Sequence, residues 1–140
     1  MIKNMIFGRK FGRDLFKMHE LRVIDSFREK MPLNLRSVID RQISAIGAIQ
    51  RLQGGTDVNC YSRKGLSLVS LNAPALNLKG ETRGANIFVV GRSKIYASIW
   101  FVDGKFFCLE FDGACDFLKD WVIDRCDILE DFDNLSINNP

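Results

Sequence analysis

Histidine occurs only once in this sequence, at His19, and no two of the four cysteines form a Cys-x-x-Cys pair. A zinc centre needs several nitrogen or thiolate ligands at characteristic spacing, so no metal site is expected. Gly80 and Gly84 lack a following Lys-Ser or Lys-Thr, which excludes the usual phosphate loop. No segment approaches the roughly 18–20 apolar residues that a membrane helix needs. The apolar start at Met1–Phe7 is too short for a signal-peptide core, and Arg9 and Lys10 follow it at once. No internal period suggests a repeat array. These absences predict a cytoplasmic protein with no membrane contact, no metal and no cofactor. In that reducing compartment Cys60, Cys108, Cys115 and Cys126 are expected to be free thiols, mostly packed as small apolar groups.

What is present describes an ordinary core-forming chain. Its 140 residues are 46% hydrophobic and 26% charged, with 11 phenylalanines to fill an interior. A chain of this length is expected to form one α+β domain over residues 1–140, with about 1–12 and 134–140 frayed. Leu21, Ile24, Phe27 and Met31 recur at helical spacing and predict a helix over 14–30, stopped by Met31-Pro32. Leu35, Ile39, Ile43, Ile46 and Ile49 predict a second helix over 35–53, closed by Gly54-Gly55.

An antiparallel meander of four to six strands should follow. Strand-like segments cover 57–62, 66–72, 87–91, 94–102 and 105–111, with a weak one over 75–79 and a polar loop over 80–84. Asp103-Gly104 predicts a two-residue type I′ hairpin, which would place Val102 opposite Lys105, Phe101 opposite Phe106, Trp100 opposite Phe107 and Tyr96 opposite Phe111. That register makes both faces of the hairpin apolar, so it is expected to be central and covered on both faces for part of its length. A C-terminal acidic amphipathic helix is expected from 114, with Phe117, Leu118, Trp121 and Val122 inward, ending near Cys126 or running on through Leu129.

Charge is unevenly distributed. Residues 1–64 carry a net +7 and residues 65–140 a net −4, within a formal total of +3. Asp112, Asp116, Asp120, Asp124, Asp127 and Asp131 are spaced by four, four, four, three and four residues, a ladder of carboxylates if they share one helix. Like charges at that spacing destabilise a helix slightly, so the pattern suggests either a solvated face or a docking surface for a basic partner. These six aspartates are the candidate partner-binding residues; no catalytic residue is assigned.

The leading expectation is a non-enzymatic intracellular binding domain, an inhibitor or immunity-type protein that neutralises a basic toxin or nuclease. The alternative is a small enzyme or ligand-binding domain with a pocket between sheet and helices. Its seeds are Cys115 in the first turn of the last helix and the Glu110/Asp112 carboxylate pair. A third reading is a nucleic-acid module using Lys3, Arg9, Lys10, Arg13, Lys17 and Arg22 with Phe7, Phe11 and Phe16 interleaved. Asp14, Glu20 and Asp25 dilute that cluster, so solvated helix faces are expected there instead. The oligomeric state stays open.

Overall fold

A computed structural model describes residues 10–62, 74–91, 93–113, 121–129, 132, 135 and 137–138. The first predicted helix divides into a 3-10 turn at Gly12–Leu15 and helix α1 (Met18–Arg28). Ile24, Phe27 and Met31 are buried as their spacing requires, and Leu21 packs beside them. The start of α1 is held by Glu20, whose Oε1 accepts the Lys17 backbone N–H at 2.7 Å.

Helix α2 (Leu33–Ser44) is shorter than expected, because the chain turns at Ala45 into strand β1 (Ile46–Leu52). Ile46 and Ile49 fit either period, and Gly47 between them weakens a helix by about 1 kcal/mol. Pairing with β2 (Asp57–Ser62) decides the matter by giving the β1 backbone a partner. Gly54 and Gly55, at φ +70° and +93°, therefore close a hairpin rather than cap a helix. Positive φ serves both purposes, so the glycines alone could not distinguish them.

The remaining described strands are β3 (Ala75–Leu76), β4 (Glu81–Val90), β5 (Lys94–Val102), β6 (Lys105–Phe111), β7 (Val122–Ile128) and β8 (Ile137–Asn138). Six of the eight described strands form one antiparallel sheet in the order β1-β2-β6-β5-β4-β7, while β3 pairs with β8. The expected α+β architecture, with two helices before an antiparallel sheet, is present. Two assignments are corrected. Glu81–Gly84 belongs to β4 rather than to a loop, and Val122–Ile128 is a strand where the acidic helix was expected to extend. Cys126 and Ile123 turn inward and Val122 outward; the odd step from 123 to 126 is absorbed by the register shift at Asp124, and pairing with β4 holds the segment extended. The predicted helical segment 114–120 and the strand 66–72 lie outside the described residues.

The Asp103-Gly104 hairpin forms as expected, with φ +48° and +77° at its two central residues. Its first two pairs, Val102–Lys105 and Phe101–Phe106, are also as expected. Beyond them Trp100 pairs with Cys108 and Ile99 with Leu109, so one extra residue is accommodated at Phe107. This bulge reverses the expected sides of β6 beyond Phe107. Leu109 and Phe111 join Ile99, Phe101 and Phe106 under the helices, Cys108 moves to the other side, and Phe107 stays there beside Trp100 as expected. The described helices cover only one face. On the other, Tyr96 is 46% exposed, and Trp100 and Phe107 are partly exposed. On the same face Ser98 and Cys108 are buried, so exposure there is uneven along the hairpin.

Two buried polar side chains tie the layers together. Glu20, fully buried, forms a two-pronged ion pair with Arg51 of β1 at 2.6 and 2.9 Å. Gln42 of α2 donates to Gly104 O at 2.9 Å and accepts Phe106 N–H at 2.9 Å. A Cβ on Gly104 would lie 1.9 Å from Leu76 O, against the backbone of β3.

Two stability predictions follow from these contacts. Gly104→Ala should cost more than about 3 kcal/mol, because strained φ and a backbone clash combine. Gly54→Ala, with φ +70° but open space around it, should cost only about 1 kcal/mol. Denaturant midpoints check the contrast, and equal losses would remove the steric argument. Glu20→Gln should cost about 3 kcal/mol because it leaves the Arg51 guanidinium without its buried counter-charge; a change within experimental error would contradict that assignment.

Candidate functional site

The outer face can be read row by row from the strand register. Asp57 of β2 pairs with Glu110 of β6, which pairs with Ser98 of β5. Ser98 in turn pairs with Asn86 of β4, and Asn86 with Asp127 of β7. The next row runs Asn59–Cys108–Trp100–Arg83. Strand alternation points all of these side chains away from the helices.

Between the rows lies a cleft of about 240 Å³ lined by Asp57, Asn59, Glu81, Trp100, Phe107, Cys108 and Glu110. Three carboxylates thus share one small concavity with aromatic walls. Among the described residues none of the three has a salt-bridge partner. Arg83 lies next to the cleft, but its guanidinium stacks on the Trp100 ring at 4.7 Å and reaches Asn86 Oδ1 at 3.5 Å. The Trp100 Nε1 is shielded from solvent and has no hydrogen-bond partner. No three described His, Cys, Asp or Glu residues are gathered closely enough to hold a metal ion. The cleft therefore presents local negative charge without the geometry of a cation cage.

Cys108 in this cleft is not a nucleophile at neutral pH. Burial, and then the charges of Asp57 and Glu110, push its thiol up to about 12. Burial also raises Cys60 well above the ordinary thiol value and raises Cys126. Cys115 lies outside the described residues.

The structure distributes the predicted aspartates over different places. Asp112 ends β6, where its Oδ1 accepts the Tyr96 N–H at 2.8 Å and its own N–H donates to Tyr96 O at 3.0 Å. It closes the strand pair. Asp124 sits where the β4–β7 register shifts, and it lines a groove against α1. Asp127 is on the outer face, 2.9 Å from Arg125 Nε. Asp116, Asp120 and Asp131 lie outside the described residues. Asp112, Asp124 and Asp127 do not share a helix, because Asp112 follows β6 and the other two lie on β7.

Several cations of the N-terminal half are engaged within the chain. Arg13 pairs with Asp25 at 2.6 and 2.9 Å, and Arg28 with Asp40 at 2.7 and 2.8 Å. These hydrogen bonds raise both arginines and hold Asp40 below the ordinary carboxylate value. Arg36 donates to the carbonyls of Arg28, Glu29 and Met31 around the α1–α2 turn. Phe16 is buried in the core, and Phe11 is partly exposed. Lys3, Phe7 and Arg9 lie outside the described residues.

The cleft was missed in the sequence because its members are scattered from Asp57 to Glu110. The alternation Asp57-x-Asn59 and Cys108-x-Glu110 was the available signal, but the bulge at Phe107 hid which face it occupied. No protein-family model, curated protein or solved structure matches this chain. Among the described residues no helix is long and apolar enough to cross a membrane.

The raised thiols predict a reactivity pattern. In the native protein at pH 7.4, Cys60, Cys108 and Cys126 should resist iodoacetamide, and all three should react after unfolding. Peptide mapping by mass spectrometry reads each site separately. Rapid native alkylation of Cys108 would contradict its placement.

Proposed function

We propose that this protein is a non-enzymatic intracellular binding domain of the inhibitor or immunity type, which neutralises a basic toxin or nuclease. The observation that carries this reading is an asymmetry of pairing. Arg13, Arg28 and Arg51 are matched to Asp25, Asp40 and Glu20, while Asp57, Glu81 and Glu110 share one cleft with no salt-bridge partner among the described residues. The formal charge of +3 therefore gives the wrong sign for the outer face. Carboxylates collected on a partly aromatic surface favour encounter with a cationic protein and disfavour acidic competitors. Trp100 and Phe107 offer the rigid apolar area on which a binding interface can centre.

The C-terminal carboxylates Asp112, Asp116, Asp120, Asp124, Asp127 and Asp131 remain part of the proposal as a second acidic contribution. The cleft supplies its geometric centre. The nucleic-acid reading is weaker on this geometry, because phosphates would meet three carboxylates on the outer face and arginines already engaged elsewhere.

The test uses an oligo-arginine peptide as the cationic probe, with affinity followed by calorimetry across a salt series. Asp57→Asn/Glu81→Gln/Glu110→Gln should weaken binding about tenfold at low salt and flatten the salt dependence. Asp116→Asn/Asp120→Asn/Asp124→Asn reports the share of the C-terminal carboxylates. Wild-type affinity in the cleft variant would remove the cleft from the proposal, and wild-type affinity in both would sink the basic-partner reading.

A further inference from the structure

Among the described residues the sheet ends on β7, and an edge strand exposes peptide groups that a strand from another molecule can meet. The ladder shows which groups face outward. Leu129 N donates to Gly84 O at 3.1 Å, so positions 84 and 129 form a hydrogen-bonded pair. Bonded and non-bonded pairs alternate along an antiparallel ladder. Carried through the register from Ala85–Ile128 to Phe88–Arg125, the alternation turns Asp127 and Arg125 toward β4 for bonding. The N–H and C=O of Cys126 and Ile128 then point away from the sheet.

Two cations reach this edge, Arg22 on α1 and Lys30 in the turn that follows it. Lys30 Nζ donates to Cys126 O at 2.7 Å, on one of the outward carbonyls. Arg22 Nη1 donates to Trp121 O at 2.9 Å, just before β7, with its guanidinium stacked on the Trp121 ring at 4.3 Å. Both side chains line the groove between α1 and Val122–Cys126.

We infer that Arg22 and Lys30 guard the β7 edge against strand addition by a second copy of this chain. A second copy is the relevant intruder because the edge is self-complementary. Antiparallel pairing about Cys126 would set Arg125 of each copy opposite Asp127 of the other, a favourable cross-strand pair. In that ladder the Cys126 carbonyl would accept the Cys126 N–H of the second copy. Lys30 already holds that oxygen, and an incoming strand would have to crowd a charged ammonium at the centre of the new pairing. Lysine at sheet edges is a common defence against this association. The inference is independent of the proposed basic partner, whose cleft lies on the outer face.

The test compares the wild type with Lys30→Met, Arg22→Gln and the double variant, by sedimentation over a concentration series and by amide hydrogen exchange. The wild type should show no β7-mediated association, with the Cys126 and Ile128 amides exchanging as open edge groups. The double variant should dimerise with a native circular dichroism spectrum, and those two amides should slow by about tenfold or more. If the double variant loses the native spectrum, Lys30→Met alone carries the comparison. Folded variants that show no association overturn the inference. So does association that leaves Cys126 and Ile128 unprotected, or a wild type already paired through β7.

Discussion

The absence of a side chain at Gly104 is the constraint on which the assembly of this protein turns. Its positive φ closes the central β5–β6 hairpin, but many glycines could do that. Here the same residue is pressed against β3, with its carbonyl accepting both the Leu76 N–H and the Gln42 amide at 2.9 Å. Gln42 also receives the Phe106 N–H, so α2, β3 and the hairpin share one buried hydrogen-bonded junction. Such a junction needs complete satisfaction, because each of its polar groups would cost about 1–3 kcal/mol if buried alone. Placing the turn correctly therefore places the helix layer relative to the sheet.

A second buried junction, Glu20 with Arg51, works on the other helix. Glu20 also holds the start of α1, so one carboxylate joins a helix terminus to a sheet strand. Such a pair is expensive to desolvate, and its geometry must compensate with several charge-assisted bonds. The helix-side arginines follow a common pattern. Arg13, Arg22, Arg28 and Arg36 bind carboxylates or backbone carbonyls of the same chain, and so contribute more to packing than to an outward basic field.

That internal use of cations is what gives the outer face its character. The bulge at Phe107 brings Cys108 and Glu110 into rows with Asn59 and Asp57, and Trp100 completes the wall. Without the bulge, Leu109 and Phe111 would emerge on this face and the helices would lose much of their apolar seat. The irregularity thus serves packing and surface together. Net charge, a sum over all residues, conceals such a separation between internally paired cations and surface carboxylates that have no salt bridge among the described residues.

Local patterning by itself determined much of this protein. The Leu21–Met31 stripe, the turn at Asp103-Gly104 and the β-rich segments from 94 to 111 depend on backbone preference and on burial of one face. These signals act over a few residues and survive in any context. Other decisions required the folded chain. Ile46 and Ile49 could belong to a helix until β2 supplied a backbone partner, and 122–128 read as helical until β4 did the same. Aspartates at helical spacing are separated by strand pairing, whereas Asp57, Glu81 and Glu110, remote in sequence, converge. Register and bulges set those neighbours through contacts between distant segments, which is why the acidic cleft emerged only from the tertiary structure.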